Sequence, residues 1–206
     1  MTFVLIITVT CLLVPVYVYI GYPALLWILT RGKSAVTHIR NDSFPSVALV
    51  ISCYNEADVI REKLQNALEL DYPEELLRII VVSDGSDDGT DELVREFTDT
   101  RITLIRQEGR LGKTMGLNLA MEQVTENVTV FSDANAMYAP DAIAKLVRNL
   151  ADPSVGYVVG AALYTDGSSG ASAQNENLYW RYELAIKSME SRLHSVVGGD
   201  GAIYAI

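Results

Sequence analysis

The sequence is poor in the residues that build disulfide frameworks and zinc sites. Its 206 residues include two cysteines, Cys11 and Cys53, and two histidines, His38 and His194. Two cysteines allow one disulfide at most, and Cys11 lies in an apolar segment where pairing is unfavourable. We therefore expect no disulfide scaffold and no zinc cluster, and we expect the chain to occupy a reducing compartment.

Positive charge is also scarce. The chain has 16 lysines and arginines against 26 aspartates and glutamates, which gives a net charge of −10. A chain this acidic repels a polyanion instead of attracting it. The composition argues against a nucleic-acid partner.

Several nucleotide-binding and hydrolase motifs are missing. No glycine follows the first apolar strand, where "SCYNEADV" stands in place of the G-x-G-x-x-G of a dinucleotide fold. The stretch "EGRLGKTMG" is similar to a P-loop only superficially, because Gly109 precedes Gly112 by too few residues. A G-x-S-x-G nucleophile elbow is absent as well.

Charge is completely absent between Phe3 and Leu29. This run is long enough to cross a hydrocarbon core of about 30 Å, and membrane helices tolerate prolines such as Pro15 and Pro23 at the cost of a kink. A buried core helix or hairpin is the alternative, although such segments rarely stay uncharged for so long. We predict a transmembrane anchor over residues 1–30.

Basic residues follow the anchor directly. Arg31, Lys33 and Arg40 lie in a polar segment, 31–45, that we interpret as a juxtamembrane linker. Basic residues beside a membrane helix favour the cytoplasmic side. We therefore expect the rest of the chain, residues 46–206, to lie in the cytoplasm as one domain on a plasma or inner membrane.

That domain alternates apolar strand patterns with helix patterns. Strands are predicted at 47–54, 78–84, 102–107, 127–133 and 155–164, with amphipathic helices between them, the fourth of which has Pro140 in its first turn. This order is typical of an α/β fold, with a mostly parallel sheet and helices on both faces. In such sheets, ligands bind at the carboxyl ends of the strands.

Polar residues follow three of the predicted strands. They are Tyr54-Asn55-Glu56, Ser83-Asp84-Gly85-Ser86 and Ser132-Asp133-Ala134-Asn135. Helix N-caps are the simplest explanation for some of them, but that does not account for carboxylates at the last strand positions. Asp133 and Asn135 offer oxygens suited to Mg²⁺ or Mn²⁺, and a divalent ion would let this acidic edge bind a diphosphate.

Other charged residues allow a plainer interpretation. Arg106, Arg110 and Lys113 form a basic group whose default place is a solvated face, with contact to an anion as the alternative. The acidic residues of the second predicted helix are expected on the surface or at the helix end: Asp87, Asp88 and Asp91.

Four motifs together resemble a known family. "SVALVISCYNEADVI", "IIVVSDGSDDGTDE", "GRLGKTMGLNLAM" and "VFSDANAMYAPDAI" occur in the order found in family 2 inverting glycosyltransferases. Within that family the chain is most similar to membrane-anchored enzymes of the cellulose and poly-N-acetylglucosamine synthase type. The resemblance covers roughly residues 46–206 and implies the GT-A fold.

The resemblance also implies roles for individual residues. It assigns the first-strand motif to the base and ribose, Asp84 to the uracil side of UDP, and Gly112 and Lys113 to a segment near the nucleotide that runs into a helix containing Asn118. It assigns a divalent metal and the donor diphosphate to Asp133 and Asn135, where the second acid of the usual D-x-D motif is replaced. The implied donor-binding residues are Tyr54, Asn55, Glu56, Asp84, Lys113 and Asp133.

The family's general base is not found in its usual motif. The resemblance places that carboxylate beyond Ile206, and Asp200 is only a weak candidate. We expect a truncated product, a fragment or a split enzyme. Trp180 is a weak candidate for contact with an acceptor sugar, because helical spacing around it favours a packing face.

These observations predict a membrane-anchored glycosyltransferase that uses a nucleotide-sugar, expected to be UDP-linked, and acts on a saccharide or lipid-linked acceptor with inversion. The alternative is an inactive module or subunit that binds the donor but lacks its base. A sugar-nucleotide pyrophosphorylase fits less well, since it requires a glycine-rich loop after the first strand.

Overall fold

The computed structural model describes residues 2–33, 44–161, 171–199 and 202–206. Two compact units are present. One contains Met1–Thr37 and Leu163–Gly198, and the other contains His38–Ala162 and Gly199–Ile206. Asp200 and most of the predicted linker lie outside the described residues, and the predicted domain boundaries stay a prediction.

The first unit begins with one continuous helical run. It consists of α1 (Thr2–Val16), a π-helical turn (Tyr17–Gly21) and α2 (Tyr22–Thr30). The run is long and apolar enough to cross a bilayer, by length and composition. All described side chains of α1 are exposed in the isolated chain, as lipid-facing side chains would be.

Pro23 disturbs the backbone hydrogen bonds of this run. Proline has no N–H, so the carbonyl of Tyr19, four residues earlier, loses its usual helical donor. The π-helical turn lies just before this position, and there the Tyr22 N–H bonds to the Tyr17 carbonyl. At this point the backbone hydrogen bonds span five residues instead of four, so a π-helical turn stands where the sequence predicted a kink.

A long helix from later in the chain satisfies the free carbonyl. In α7 (Ala171–Leu193), the Tyr182 hydroxyl donates to the Tyr19 carbonyl at 2.9 Å. The Tyr22 hydroxyl in turn donates to Glu190 Oε1 at 2.5 Å. The helix that carries Trp180 thus packs on α2.

The second unit contains six strands and four α-helices among its described residues. In chain order they are β1 (Val47–Cys53), α3 (Ile60–Leu68), β2 (Leu77–Ser83), α4 (Thr90–Arg95), β3 (Ile102–Arg106), α5 (Lys113–Met121), β4 (Val128–Asp133), α6 (Ala142–Val147), β5 (Val158–Val159) and β6 (Ile203–Ala205).

The strands form one sheet in the order β3-β2-β1-β4-β6-β5. The first four are parallel, whereas β6 runs antiparallel to both β4 and β5. This confirms the predicted mostly parallel α/β sheet. Near-continuous burial of β1, β2 and β4 explains their unbroken apolar runs, because both faces are covered.

Helices cover both faces, as predicted. On one face, α3, α4 and α6 pack on alternate strand residues such as Leu49 and Val130. On the other face, α5 packs on Val50, Ile80 and Phe131. The period-two alternation of β1 therefore decides which helix each of its side chains meets.

Two predicted elements differ from the structure. The strand predicted at 155–164 is reduced to Val158–Val159 among its described residues, and residues 162–164 are not described. The fourth predicted helix begins at Ala142, so Pro140 precedes it and does not occupy its first turn. The Pro140 carbonyl instead accepts a bond from the Asp71 N–H at 2.8 Å.

We predict that Leu49→Ala lowers the free energy of unfolding of this unit by about 2–5 kcal/mol, because Leu49 is fully buried in β1. Leu111→Ala is the matched control, since 57% of that side chain is exposed. Denaturant unfolding of both variants measures the difference. Equal losses in the two variants would contradict the burial pattern.

Candidate functional site

A cleft lies at the carboxyl ends of β1, β2 and β4. Parallel pairing brings these ends together: Ser52 is opposite Asp133, and Cys53 is opposite Ser83. The cleft has a volume of about 240 Å³. Its lining includes the predicted residues Tyr54, Glu56, Asp84, Lys113, Asp133 and Asn135.

A larger groove, of about 790 Å³, lies at the opposite, amino ends of the strands. Four of its charged side chains form two ion pairs. Arg101 contacts Asp99 at 2.8 Å, and Arg78 contacts Glu126 at 3.6 Å. The carboxyl-end cleft is the better candidate despite its smaller volume, because ligands of open α/β sheets bind at that edge.

Asp84 is buried at the end of β2 and holds the loop before α5. Its Oδ1 accepts bonds from Gln107 Nε2 at 2.8 Å, from the Leu111 N–H at 2.8 Å and from the Gly112 N–H at 2.9 Å. A carboxylate with several donors fixes a loop more strongly than a neutral acceptor does. In this state Asp84 positions the segment that the resemblance assigns to the nucleotide.

The loop held by Asp84 ends at Gly112, which has φ +90° and directly precedes α5. That backbone conformation strains any residue with a Cβ. The next residue, Lys113, is the first of the helix. Because Asp84 binds the N–H groups of the two preceding residues, it fixes the backbone from which the Lys113 side chain extends.

Lys113 Nζ pairs with Asp133 Oδ1 across the cleft. Both side chains are partly exposed, at 47% and 37%, so water and ligands can reach the pair. The Asp133 carboxylate thus has a cationic partner within the cleft. Asn135 is exposed beside it in the cleft lining. A carboxylate and an amide carbonyl suit Mg²⁺ or Mn²⁺ when a diphosphate supplies further ligands.

The loop after β1 is fixed by the loop after β2. Asn55 Nδ2 donates to Asp87 Oδ1 at 2.8 Å, and the Asp87 N–H donates to Asn55 Oδ1 at 3.0 Å. Asn55 has φ 53°, a left-handed conformation that asparagine tolerates better than most residues do. In the structure, therefore, the Asn55 side chain holds the backbone.

The next two residues of this loop are fixed in the same way. The Glu56 N–H donates to Thr90 Oγ1 at 2.9 Å, and the Ala57 N–H donates to Asp88 Oδ2 at 3.0 Å. Desolvation raises the pKa of Asp88, but together the hydrogen bonds from the Thr90 hydroxyl and from the Ala57 and Thr90 N–H groups outweigh it and hold that pKa below its usual value. The Glu56 carboxyl remains in the cleft lining.

Asp91 was expected at the surface or the helix end. It lies in the first turn of α4, so the helix-end alternative is confirmed, but its side chain is only 1% exposed. Its Oδ2 pairs with Arg106 Nη1, which also donates to the Ser86 carbonyl at 3.0 Å. Arg106 therefore has an internal partner and does not form a free basic face. Asp87 and Asp88 are exposed, as predicted.

Tyr54 is half-buried at the end of β1, and the Arg110 guanidinium lies over its ring at 4.0 Å. Such a cation–π contact is weak at an exposed site, about 0.5–1 kcal/mol. A planar aromatic ring and a planar guanidinium together offer flat surfaces on which a nucleobase can stack.

The pKa values of Glu56 and Lys63, two further ionisable groups near the cleft, are also shifted. Burial raises the pKa of Glu56, and the neighbouring Asp133 and Asp88 carboxylates raise it further. Burial lowers the pKa of Lys63 to about 7, with a partial opposing effect from Asp133. Both shifts follow from charge placed in a poorly solvated environment.

A sequence model described as "Glycosyl transferase family 2" matches residues 48–205. The chain belongs to glycosyl transferase family 2. It is 34% identical over 125 residues to poly-β-1,6-N-acetyl-D-glucosamine synthase of Staphylococcus aureus, and 26% identical over 131 residues to that of Staphylococcus epidermidis. These matches cover 59% and 63% of this chain but only 30% and 31% of the relatives.

Solved structures agree with the family 2 assignment. The mannosyltransferase PcManGT of Pyrobaculum calidifontis, solved with GDP-Man and Mn²⁺, has a TM-score of 0.77 at 30% identity and is matched over 92% of this chain and 53% of its own. TarS of S. aureus, solved with UDP-GlcNAc, has a TM-score of 0.54 at 17% identity, over 61% and 36% of the chains, and shows the fold alone. The fold is GT-A.

The structure brings most of the predicted donor-site residues of this family 2 chain together at the cleft. Trp180 lies in α7 of the first unit, with its ring 5.8 Å from that of Tyr179. Asn118 is exposed on α5. Asp200 lies outside the described residues. The roles of the donor, metal and acceptor residues stay predictions.

Sequence reasoning missed two buried polar residues beside the site. Gln107, 3% exposed, ends the third apolar run and binds Asp84. Lys63, 0% exposed, lies between Ile60 and Ala67 on the apolar stripe of α3. The sequence did contain a signal for Lys63, because it falls at the helical spacing of the apolar residues of α3. Buried lysines are rare unless they are paired, so a lysine at such a position indicates an internal partner.

We predict that Gly85→Ala lowers the free energy of unfolding by about 1–3 kcal/mol, since its φ of +71° strains an alanine and the new Cβ would lie 2.9 Å from the Gly109 carbonyl oxygen. Gly89→Ala is the control, with φ +97° but open space around its Cβ. Denaturant unfolding compares the two. A Gly89→Ala loss as large as that of Gly85→Ala would show that the contact with Gly109 has no effect.

We predict a pH dependence from Lys63. Its folded pKa of about 7 lies below the usual lysine value of 10.5, so between about pH 7 and 8.5 the unfolded chain binds more protons than the folded one. Stability from this group is therefore greatest at high pH and falls as pH drops toward 7. Lys63→Met should flatten this slope in denaturant titrations. An unchanged slope would contradict the shift.

The upper limit of that window matters because Cys53 acts in the opposite direction. Burial raises the pKa of the Cys53 thiol to about 12 from 9.0, so the folded chain keeps that proton longer than the unfolded chain does. Its contribution is lost as pH rises above about 9. Measurements below that pH therefore isolate the lysine.

Proposed function

We propose that this chain is the donor-binding part of a glycosyltransferase that transfers a sugar from a nucleotide-sugar, expected to be UDP-linked, to a saccharide or lipid-linked acceptor with inversion. The observation that carries the proposal is the ion pair between Lys113 and Asp133 in the cleft, with Asn135 beside it. Family membership over residues 48–205 supports it.

The nucleotide would lie along the carboxyl ends of β1 and β2. Tyr54 and Arg110 offer stacking surfaces for the base, and Asp84 and Glu56 offer acceptors for base or ribose hydrogens. Asn55 contributes by holding this loop on Asp87. A glycosyltransferase of about 30% identity solved with GDP-Man supports nucleotide-sugar binding in this fold.

The diphosphate would lie nearer β4. Lys113 can turn from Asp133 toward a phosphate, because both partners are partly exposed and an exposed ion pair contributes little stability. Asp133 and the Asn135 carbonyl would then hold Mg²⁺ or Mn²⁺. A bound divalent ion stabilises the charge of a departing nucleoside diphosphate. The relative PcManGT was solved with Mn²⁺.

A second candidate is a module that binds the donor without transferring its sugar. Three carboxylates line the described cleft: Asp84 accepts hydrogen bonds from the loop before α5, Asp133 pairs with Lys113, and Glu56 is close enough to Asp133 for that charge to raise its pKa. None of these carboxylates is placed by the resemblance as the acceptor's base. The described part of the chain thus accounts for binding better than for proton removal.

We further propose that residues 2–30 anchor the chain in a membrane, with the GT-A unit on the cytoplasmic side. The apolar run supports the anchor. Arg31 lies at its end with its guanidinium 5.0 Å from the Trp27 ring, an arrangement common where a helix meets the interface. The acceptor class is supported by the N-acetylglucosamine polymer named in the relatives.

Calorimetric titration of the full chain with UDP, and separately with GDP, tests the metal site. We expect Mn²⁺ to strengthen binding and chelation to weaken it, and Asp133→Ala to abolish the metal's effect, about a tenfold loss or more. Asp58→Ala, an exposed aspartate on a neighbouring loop, is the control. The assignment fails if neither chelation nor Asp133→Ala alters nucleotide binding.

A transfer assay separates the two candidate functions. The full chain is incubated in membranes with UDP-N-acetylglucosamine or GDP-mannose, and release of the nucleoside diphosphate is followed with and without added saccharide. A transferase releases it in an acceptor-dependent way, whereas a binding module retains affinity without turnover. Turnover that persists in Asp133→Ala would contradict the proposed role of that residue.

A further inference from the structure

A buried lysine lies near the cleft but is not among the residues that line it. Lys63 lies on the face of α3 that packs into the core, and its side chain is 0% exposed. Its neighbours on that face, Ile60, Leu64 and Ala67, are also fully buried. An apolar residue would fill this position without the cost of burying an amine.

The amine contacts the segment of chain that follows Asp133 and Asn135. Lys63 Nζ donates to the Ala136 carbonyl and lies 3.6 Å from the centre of the Tyr138 ring. An amine donates this hydrogen bond whether or not it carries the extra proton. The buried amine therefore satisfies a backbone carbonyl that follows the proposed metal ligands by one residue.

A second side chain of α3 holds the same segment. Asn66 Nδ2 donates to the Tyr138 carbonyl at 2.9 Å, and the Tyr138 N–H donates to Asn66 Oδ1 at 2.8 Å. The Tyr138 hydroxyl donates to the Ala202 carbonyl at 3.1 Å. The far end of the segment is therefore fixed by Asn66, and the near end, at Ala136, by Lys63.

The near end is the part that decides where the proposed ligands lie. The Ala136 N–H bonds to the Asp133 carbonyl at 3.3 Å, which closes a turn around Ala134 and Asn135. Ala134 is 1% exposed and anchors this turn in the core, whereas Asn135 projects at its exposed tip. A donor that fixes the Ala136 peptide fixes the exit of the turn that carries Asn135.

We propose that Lys63 is a positioning residue for the metal site: through the Ala136 carbonyl it holds the turn that places the Asp133 and Asn135 oxygens around a divalent ion. This inference rests on the proposed function, since it requires a metal at Asp133. Partners that orient metal ligands without touching the metal typically change metal affinity about 10- to 100-fold when removed.

The test uses Lys63→Met in the full chain, in detergent, with Mn²⁺ titrated at saturating UDP and free Mn²⁺ followed by electron paramagnetic resonance. Methionine keeps the long unbranched stem and removes the donor. The control is Leu64→Ala, an equally buried change in the adjacent residue of α3. Asp133→Ala is measured alongside, and UDP affinity is also measured with chelator.

We expect Lys63→Met to weaken Mn²⁺ binding about tenfold or more, while Leu64→Ala and metal-free UDP affinity stay within about twofold of wild type. A merely destabilising substitution would not give this selective loss. Lys63→Met within about twofold of wild type overturns the positioning role, as does an equal loss in Leu64→Ala.

Failure of the proposed function gives a different result. If wild type binds Mn²⁺ no better than Asp133→Ala, the metal site itself is wrong, and the inference about Lys63 is overturned with it.

If Lys63→Met does not fold, Lys63→Arg replaces it because arginine also donates. A folded Lys63→Arg should keep Mn²⁺ affinity within about threefold, and a tenfold loss overturns the proposal.

Discussion

The parallel register of β1 with β2 and β4 is the constraint on which the site depends. It sets Ser52 level with Asp133, and Cys53 level with Ser83, so the loops that follow the three strands emerge side by side. Both faces of the sheet are covered by helices, which leaves that edge as the place where polar side chains can gather. The residues of the cleft come from several loops, so they can contact one another only because the strands before those loops are aligned.

Hydrogen bonds between the loops then prepare the cleft before any ligand arrives. Asp84 fixes the loop that delivers Lys113, and the residues after β2 fix the loop after β1. Lys113 and Asp133 form an ion pair across the cleft. In the proposed complex, a metal ion would replace Lys113 as the partner of Asp133, and a diphosphate would replace Asp133 as the partner of Lys113. Preorganised donors and acceptors lower the cost of binding, because the loops do not have to be ordered again.

The sequence predicted the fold and the members of the site better than their partners. Apolar runs identified the parallel strands, and the residues after them identified Asp84 and Asp133, because burial and strand ends leave strong local patterns. Asp91 and Lys63 were not assigned their internal partners, since their contacts, Arg106 and the Ala136 carbonyl, lie far away along the chain. The antiparallel β6 likewise depends on tertiary contacts that no local pattern records.

The central claim is that Asp133 holds a divalent ion in contact with the donor diphosphate. Pulsed electron paramagnetic resonance of Mn²⁺ in the presence of UDP tests it most directly, since hyperfine coupling to phosphorus requires a phosphate oxygen on the metal. The account predicts phosphorus coupling in the wild-type chain and its loss in Asp133→Ala. Coupling of unchanged strength in Asp133→Ala would contradict the account.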